Sequence, residues 1–168
     1  SPTNPLKLER TFKSVKNVSI SCKTIESYLD QFAEAFLTEK AIRYDIKGKK
    51  YINTLAKHYF TDMGVRNAIL GFRQIEENHI MENILYNELR MRGFSVDVGM
   101  VETRPLDEDG KRTRKQYEVD FVVNRGSNRY YIQSAFAIPT DAKERQESAS
   151  LLNIHDSFRK IIKQFFPL

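Results

Sequence analysis

The sequence predicts a mixed α/β chain in which a helical, basic first part is followed by a part rich in strands. Apolar residues recur at helical spacing through much of residues 5–37, and they alternate with polar residues in several segments after residue 93. Of 27 Lys+Arg and 22 Asp+Glu, residues 1–76 hold 13 and 8, so the whole formal excess of +5 lies there. We therefore predict two modules, residues 1–76 and residues 77–168.

Composition excludes several classes of protein. The 168 residues are 40% hydrophobic and 11% aromatic, which is enough for a packed core and too much for a disordered chain. No apolar run approaches the roughly 18 residues of a membrane span, and the start shows no signal-peptide pattern. The single Cys22 excludes an internal disulfide and a multi-cysteine zinc site. We expect a cytoplasmic protein with no membrane contact and, because the chain starts at Ser1, a fragment of something longer.

The first module predicts two helices followed by a hairpin, which is the element order of a winged helix. An apolar stripe marks each helix, and Ser19 or Ser21 can cap the second. Gly48 supplies the freedom that the hairpin turn needs. The predicted elements are helices over Pro5–Val15 and Thr24–Leu37, a strand over Lys40–Ile46, a turn at 47–50, return strands at Tyr51–Ile52 and Tyr59–Phe60, and a short helix near Asp62–Asn67.

Basic residues crowd this hairpin, which favours contact with a DNA backbone. The second helix carries Glu26, Asp30 and Glu34, whose charges repel phosphate, so base reading is disfavoured. A second basic run lies in the polar loop 104–115, where neighbouring acidic residues 107–109 can neutralise it. A winged helix used only for domain packing is the alternative. The candidate DNA-binding residues are Lys40, Arg43, Lys47, Lys49, Lys50, Lys111, Arg112, Arg114 and Lys115.

The second module predicts a helix, three strands, a helix and a last strand. Gly93 suits the C-terminal cap of the first helix, and Thr140 suits the N-cap of the second. Alternating apolar residues mark the strands. The predicted elements are a helix over His79–Arg92, strands over Phe94–Val101, Gln116–Val123 and Arg129–Ile138, a helix over Asp141–Leu152, and a strand over Arg159–Phe166.

The pair Gly126-Ser127 predicts a two-residue hairpin turn between the second and third of these strands. With that turn, the numbers of paired residues sum to 253, so Asp120 lies across from Gln133 on one face of the sheet. Glu118 shares that face because residues two apart point to the same side. The opposite face receives an almost wholly apolar set: Val119, Phe121, Val123, Ile132, Ser134 and Phe136.

This element order, with Glu82 on the first helix, Asp120 on the second strand and Gln133 on the third, resembles the PD-(D/E)XK or restriction-endonuclease-like fold. The resemblance implies that Glu82, Asp120 and Gln133 are the catalytic positions and can hold Mg²⁺ beside a phosphate. Ala135 replaces the lysine of the motif, and Gln133 brings no charge. We therefore expect a degenerate site, and a plain hydrogen-bonded pair of Asp120 with Gln133 is the alternative.

A series of short segments also resembles, in order, the C-terminal region of a family of prokaryotic AAA+ ATPases that carries the domain of unknown function 4143. The resemblance implies an upstream ATPase module that binds ATP and through which the protein oligomerises. The segments are Ser1–Pro5, Thr24–Leu29, Ala35–Leu37, Arg43–Lys49, Arg66–Ala68, Glu82–Leu89, Arg92–Gly93, Glu118–Phe121 and Tyr131–Gln133.

These observations predict a non-catalytic, DNA-binding or regulatory C-terminal region of an AAA+ ATPase. Its expected partners are DNA and the ATPase module of the same chain. Two alternatives stay open. One is an active Mg²⁺-dependent DNA endonuclease, and the other is a protein-interaction or oligomerisation module of the ATPase.

Overall fold

The structure is a computed structural model that describes residues 3–73, 76–107, 109–135 and 148–164. Helices and strands follow the predicted order, with the ends shifted by a few residues. The elements are α1 (Pro5–Lys16), α2 (Cys22–Glu34), β1 (Thr38–Asp45), β2 (Lys50–Phe60), α3 (Met63–Ile69), α4 (Glu77–Met91), β3 (Ser95–Thr103), β4 (Lys115–Arg125), β5 (Asn128–Ala135), α5 (residues 148–152) and β6 (Arg159–Gln164).

The described strands form one mixed sheet in the order β2-β1-β3-β4-β5-β6. Neighbours β1 and β3 are parallel, as are β5 and β6, and the other neighbours are antiparallel. The predicted α/β class is therefore confirmed. Because β1 runs parallel to β3, the turn after β1 and the loop after β3 lie at the same end of the sheet.

Each face of the sheet carries its own hydrophobic cluster. Helix α4 packs across β2, β3, β4 and β5 and covers the first cluster, in which the rings of Tyr59 and Tyr86 stack at 4.1 Å beside Phe121. The second cluster lies on the other face and includes Tyr131 and Leu151, the latter from α5. Alternation along the strands places neighbours such as Val122 and Val123 in different clusters.

The two N-terminal helices are capped as their sequences indicate. Asn4 accepts a hydrogen bond from the backbone N–H of Lys7, and Ser21, not Ser19, accepts one from Thr24. Helix α1 packs on α2, and α2 packs on β1. Only Ile25 is buried among the residues of these two helices. No described helix has the length and apolar character needed to cross a membrane.

The predicted hairpin forms, but it is not an isolated wing, because β1 also pairs with β3 of the second module. Strands from both sides of the predicted boundary at residue 76 thus share one sheet and one hydrophobic cluster. The division into two domains stays a prediction. The turn also differs in detail: Lys49, at φ 51°, takes the left-handed conformation. Gly48 is needed for a different reason, since a Cβ there would collide with the Asp45 carboxylate.

A return strand begins near Tyr51 as predicted, but the prediction of another strand at Tyr59–Phe60 was wrong, because these residues end the same strand β2, which carries an irregularity. Arg43 pairs with Ile52 and Ala41 pairs with Lys57, so four residues of β2 face the single residue Ile42. Within this stretch Leu55 has φ 50°. Irregularities of this kind bend a strand and increase its twist. The bend delivers the second half of β2, including Lys57, to the face that α4 covers.

The predicted register of the hairpin 115–135 is confirmed. Phe121 pairs with Ile132 and Arg125 with Asn128, so the numbers sum to 253 as expected, and Gly126 has φ 59°. The predicted faces are wrong in part. A bulge lies in β4 where the pairing with β3 shifts between Asp97 and Gly99, and it puts Val119 and Phe121 in different clusters.

Three predictions fall partly outside the described residues. These are the Thr140 cap with residues 141–147 of the predicted helix, residues 136–138 of the third strand, and residues 165–166 of the last strand.

Candidate functional site

Three carboxylates converge on one buried ammonium group beneath helix α4. Lys57 Nζ lies 2.8 Å from Glu82 Oε1, 2.7 Å from Glu118 Oε1 and 3.9 Å from Asp120 Oδ1. The Lys57 side chain is only 6% exposed. Tyr59 also donates its hydroxyl to Glu82 Oε1 at 2.6 Å. We call Lys57, Glu82, Glu118 and Asp120 the acid–lysine cluster.

Local irregularities place each member of the cluster. The bend in β2 presents Lys57 and Tyr59 to α4. Glu118 and Asp120, two residues apart, share a face, and the bulge at residues 120–121 puts both on the side of Lys57. Helix α4 is fixed against β2 by Asn83, whose side-chain amide both accepts from the Phe60 N–H at 2.8 Å and donates to the Phe60 carbonyl at 2.7 Å. That double hydrogen bond sets Glu82, the preceding residue, over Lys57.

The prediction that Asp120 and Gln133 share a face of the sheet was wrong. Asp120 Oδ2 accepts hydrogen bonds from the backbone N–H and the hydroxyl of Ser134, at 2.8 and 2.9 Å. Gln133 Oε1 instead accepts from Ser150 at 3.3 Å and, weakly, from the Asp120 N–H at 3.4 Å. The bulge in β4 is the physical reason, because it rotates Asp120 away from the face that regular alternation would give it.

The electrostatics of the cluster follow from its burial. Burial raises the pKa of Asp120 to about 6, the charge of Glu82 adds to this, and Lys57 and the Ser134 hydrogen bonds oppose it. Burial acts on Glu82 in the same direction, but the attraction of Lys57 and the hydrogen bonds from Lys57 and Tyr59 lower its pKa overall. Burial disfavours the charged form of Lys57, and the three carboxylates outweigh it and raise the pKa. Lys57 therefore stays charged, and Asp120 holds its proton to a higher pH than an ordinary aspartate does.

The residues offered for a metal can be tested against this geometry. Glu82 and Asp120 supply the carboxylate oxygens that Mg²⁺ prefers, but the Lys57 ammonium lies between them and Gln133 lies on the other face. Among the described residues, no group of three or more His, Cys, Asp or Glu side chains is arranged to hold a metal ion. In this arrangement the lysine is the cation that the carboxylates share.

Sequence reasoning missed Lys57, Tyr59 and Ser134 as members of the site. The motif places its lysine on the third strand, at Ala135, whereas Lys57 comes from β2, 63 positions before Asp120 in the chain. A signal was present, because Lys57 and Tyr59 are two apart and so share a face of a strand. Nothing in the sequence showed that this face would lie over β4.

The structure separates the nine candidate DNA-binding residues into two groups. Lys40 is paired with Asp30 at 3.5 Å, Arg43 is half-buried and contacts Met100, and Arg114 is paired with Glu102 at 2.7 Å. Lys115 lies over the ring of Tyr117 at 5.1 Å. Of these four only Arg43 is half-buried, and the other three are exposed but engaged. The remaining five are exposed and take part in none of these contacts: Lys47, Lys49, Lys50, Lys111 and Arg112.

Those five exposed residues come from the turn after β1 and the loop after β3, which lie at the same end of the sheet. Asp45 at the end of β1 pairs with Met100 of β3, and Met100 pairs with Glu118 of β4. Ile46 N–H donates to the Met100 carbonyl at 3.0 Å, which ties the turn to this row. We call Lys47, Lys49, Lys50, Lys111 and Arg112 the basic end. Glu118, in the same row of paired residues, belongs to the acid–lysine cluster, so the basic end adjoins that cluster.

Comparisons with known proteins find that the first part of the chain is similar to a described domain. Residues 6–76 match a family described as "Domain of unknown function (DUF8612)". This is a different domain of unknown function from the one that the sequence resembles above. Its matched segment ends at residue 76, where the charge distribution places the boundary between modules.

Two relatives extend the similarity to most of the chain. An uncharacterized protein of Haemophilus influenzae is 36% identical over 159 residues, which are 95% of this chain and 36% of the relative. An uncharacterized protein of Methanocaldococcus jannaschii is 32% identical over 133 residues, which are 79% of this chain and 27% of the relative. The chain thus spans about a third of the length of the curated relatives it matches. No solved structure matches the chain.

Proposed function

We propose that this chain is the DNA-binding region of a longer protein and that it binds the phosphate backbone at the basic end. The observation that carries the proposal is that two basic segments, some 60 residues apart in the sequence, lie at the same end of one sheet. Lysine and arginine side chains that neutralise phosphates release counterions, which supplies most of the affinity for a backbone.

Three of the acidic side chains at this end, Asp45, Glu102 and Asp107, are engaged by partners within the chain. The Asp45 carboxylate accepts from the Gly48 N–H at 2.9 Å. Asp107 accepts from the Asp109 and Lys111 backbone N–H groups, at 3.1 and 2.7 Å. Glu102 is paired with both Arg104 and Arg114. The ion pairs balance the charge of Glu102, and the five cations of the basic end outnumber Asp45, Asp107 and Asp109, so the net charge of these residues is positive.

A salt titration of DNA binding tests the proposal. Fluorescence anisotropy with a short duplex would compare the wild type with a Lys47, Lys49 and Lys50→Gln variant and with a matched variant, Lys7, Lys13 and Lys16→Gln, on the exposed surface of α1. Both variants lose three charges. We expect the first to bind about tenfold or more weakly, with a shallower dependence of log Kd on log salt, and the second to bind nearly as the wild type does.

Two outcomes of the same experiment would reject the proposal. Equal losses in both would mean that only net charge matters. An absence of binding by the wild type at low salt would reject DNA binding by this chain.

We further infer, from the resemblance described above, that the longer protein is an AAA+ ATPase and that this region binds DNA or regulates the ATPase without catalysis of its own. The relatives support a longer protein, because the matched part is only 36% of one relative and 27% of the other. The test is the ATP hydrolysis rate of the full-length protein with and without DNA, in the wild type and in the Lys47, Lys49 and Lys50→Gln variant. A DNA-stimulated rate that this variant loses would support the assignment, and a full-length protein that binds no ATP would reject it.

A second candidate is Mg²⁺-dependent cleavage of DNA, and Lys57 is the observation that favours it. The motif lysine that Ala135 replaces is supplied in space by Lys57, next to Glu82 and Asp120. Bound Mg²⁺ would activate water and stabilise negative charge on the phosphate. Glu82 and Asp120 would hold it, and Lys57 would have to leave its present position between them to contact the phosphate.

Plasmid cleavage in Mg²⁺ or Mn²⁺ tests this candidate, with Asp120→Asn as the control. Cleavage by the wild type that the variant lacks would establish the activity. Cleavage that persists in Asp120→Asn would come from a contaminant, and a wild type without cleavage in either metal would reject the candidate.

A further inference from the structure

A row of aromatic rings with an arginine among them crosses the face of the sheet that carries the second cluster. The rings of Tyr51 and Tyr44 meet edge to face at 5.3 Å. The Arg129 guanidinium lies 4.9 Å from the centre of the Tyr44 ring and 5.6 Å from that of Phe158. We call Tyr51, Tyr44, Arg129 and Phe158 the aromatic row.

The middle of the row is buried and fixed, whereas its two ends are open to solvent. Tyr44 is 8% exposed, but Tyr51 is 55% and Phe158 is 40% exposed. Arg129 donates to Asn124 Oδ1 at 2.7 Å and to the Tyr44 hydroxyl at 3.3 Å. Tyr51 donates its hydroxyl to the buried Asp97 at 3.2 Å. The outer rings are therefore held against a rigid support, which lowers the entropy lost when a ligand binds.

Exposed cations flank both ends of the row. Lys49 and Lys50 precede Tyr51 in the chain, and Arg159 and Lys160 follow Phe158, with all four exposed. A carboxylate lies at each end as well: the buried Asp97 accepts the Tyr51 hydroxyl, and the exposed Asp156 accepts the Phe158 N–H at 3.1 Å. Lys160 Nζ donates to the Asp156 carbonyl at 3.0 Å. Aromatic faces beside positive charges are the features by which proteins bind single-stranded nucleic acid, because bases stack on the rings while phosphates pair with the cations.

We propose that the aromatic row binds unpaired bases of single-stranded DNA, with one base stacked on Tyr51 and another on Phe158. This inference rests on the proposed function and deepens it, since Lys49 and Lys50 belong to the basic end. It names the form of DNA that is preferred. A duplex keeps its bases stacked inside, so it can use the cations but not the rings.

The experiment compares two 12-nucleotide probes of equal charge, one of thymidines and one of abasic sites, by fluorescence anisotropy. The expected wild-type result is a preference of about tenfold or more for the thymidine strand. Tyr51→Leu and Phe158→Leu should each reduce this preference severalfold and leave the affinity for the abasic strand unchanged. Tyr51→Phe keeps the ring and should keep the preference, which controls for misfolding.

A matched control uses Tyr28→Leu, which removes a tyrosine that is 50% exposed on α2, far from the row in the chain. This variant should keep the wild-type preference. If the wild type binds both strands equally, or if the two leucine variants keep the preference, the aromatic row does not bind bases and the backbone proposal alone survives. If the wild type binds no DNA, the proposed function and this inference both fail.

Discussion

Lys57 donates to Glu82 at 2.8 Å, although the two residues lie on opposite sides of the boundary that the sequence predicts between its two modules. The pair is buried, and Tyr59 donates to the same carboxylate oxygen. It links β2 to α4 by charge in the same place where Tyr59 and Tyr86 link them by ring stacking. Whatever the cluster does chemically, this contact makes the two parts of the chain depend on each other for stability.

Removing the ammonium should be costly. Lys57→Met leaves the three carboxylates buried without a counter-charge, and we expect the free energy of unfolding to fall by about 3–5 kcal/mol. Urea denaturation at neutral pH measures this. Lys49→Met, at an exposed turn position, should change stability by no more than about 0.5 kcal/mol. A Lys57→Met protein within about 1 kcal/mol of the wild type would show that the cluster is solvated.

Asp120→Asn should be more stable than the wild type at neutral pH, and this difference should shrink as pH falls. The folded-state pKa of Asp120 is about 6 against an ordinary value of 3.8, so the native state binds this proton more tightly than the unfolded state does. The wild type therefore loses stability between about pH 4 and pH 6, and the variant escapes that loss, which is about 2–3 kcal/mol. Denaturation curves from pH 4 to pH 8 give the comparison.

Glu82→Gln is the control, because its stability relative to the wild type should change in the opposite direction. The pKa of Glu82 is lowered from its ordinary value of 4.5, so its ionised form stabilises the native state above that pH and the effect fades as pH falls. This variant should be less stable than the wild type at pH 7, with the difference shrinking in acid. If the stability difference from the wild type had the same sign at pH 7 in both variants, the opposite pKa shifts of Asp120 and Glu82 would be contradicted.

Asn83→Leu should cost about 1–3 kcal/mol, because it leaves the Phe60 N–H without its partner beneath α4. Asn87→Ala is the matched change. Asn87 also donates to the Phe60 carbonyl, at 2.9 Å, but that oxygen keeps its bond from Asn83, so the loss should stay below about 1 kcal/mol. Thermal and urea unfolding of both variants provide the measurement, and equal losses would argue against a special role for Asn83.

Gly99→Ala should destabilise by about 1–3 kcal/mol through overpacking. A Cβ at this position would lie 2.8 Å from Val119 Cβ and 2.9 Å from Val122 Cγ2, both on the facing bulged strand. Val119→Ala should therefore cost less in the Gly99→Ala background than in the wild type, because it removes part of the collision. Strict additivity of the two changes would mean that the backbone moves apart instead.

Local patterns in the sequence were sufficient to predict the positions of most helices and strands. Apolar periodicity placed the helices and strands to within a few residues, and Gly126 fixed the register of the last antiparallel hairpin, because a two-residue turn leaves only one pairing. The same local chemistry identified Ser21 as one of two candidate caps, whereas Glu82 and Asp120 were identified as site residues through the resemblance to the nuclease-like fold.

Tertiary structure alone decided which of these residues meet. The bulge in β4 costs little locally and has no signature in the alternation, yet it turns Asp120 toward α4 and leaves Gln133 beside Ser150. The bend in β2 and the pairing of β1 with β3 bring Lys57 under α4, and the same parallel pairing gathers the basic end. Such contacts join segments tens of residues apart, and their favourable free energy comes from burying apolar surface and from pairing charges that lie far apart in the sequence.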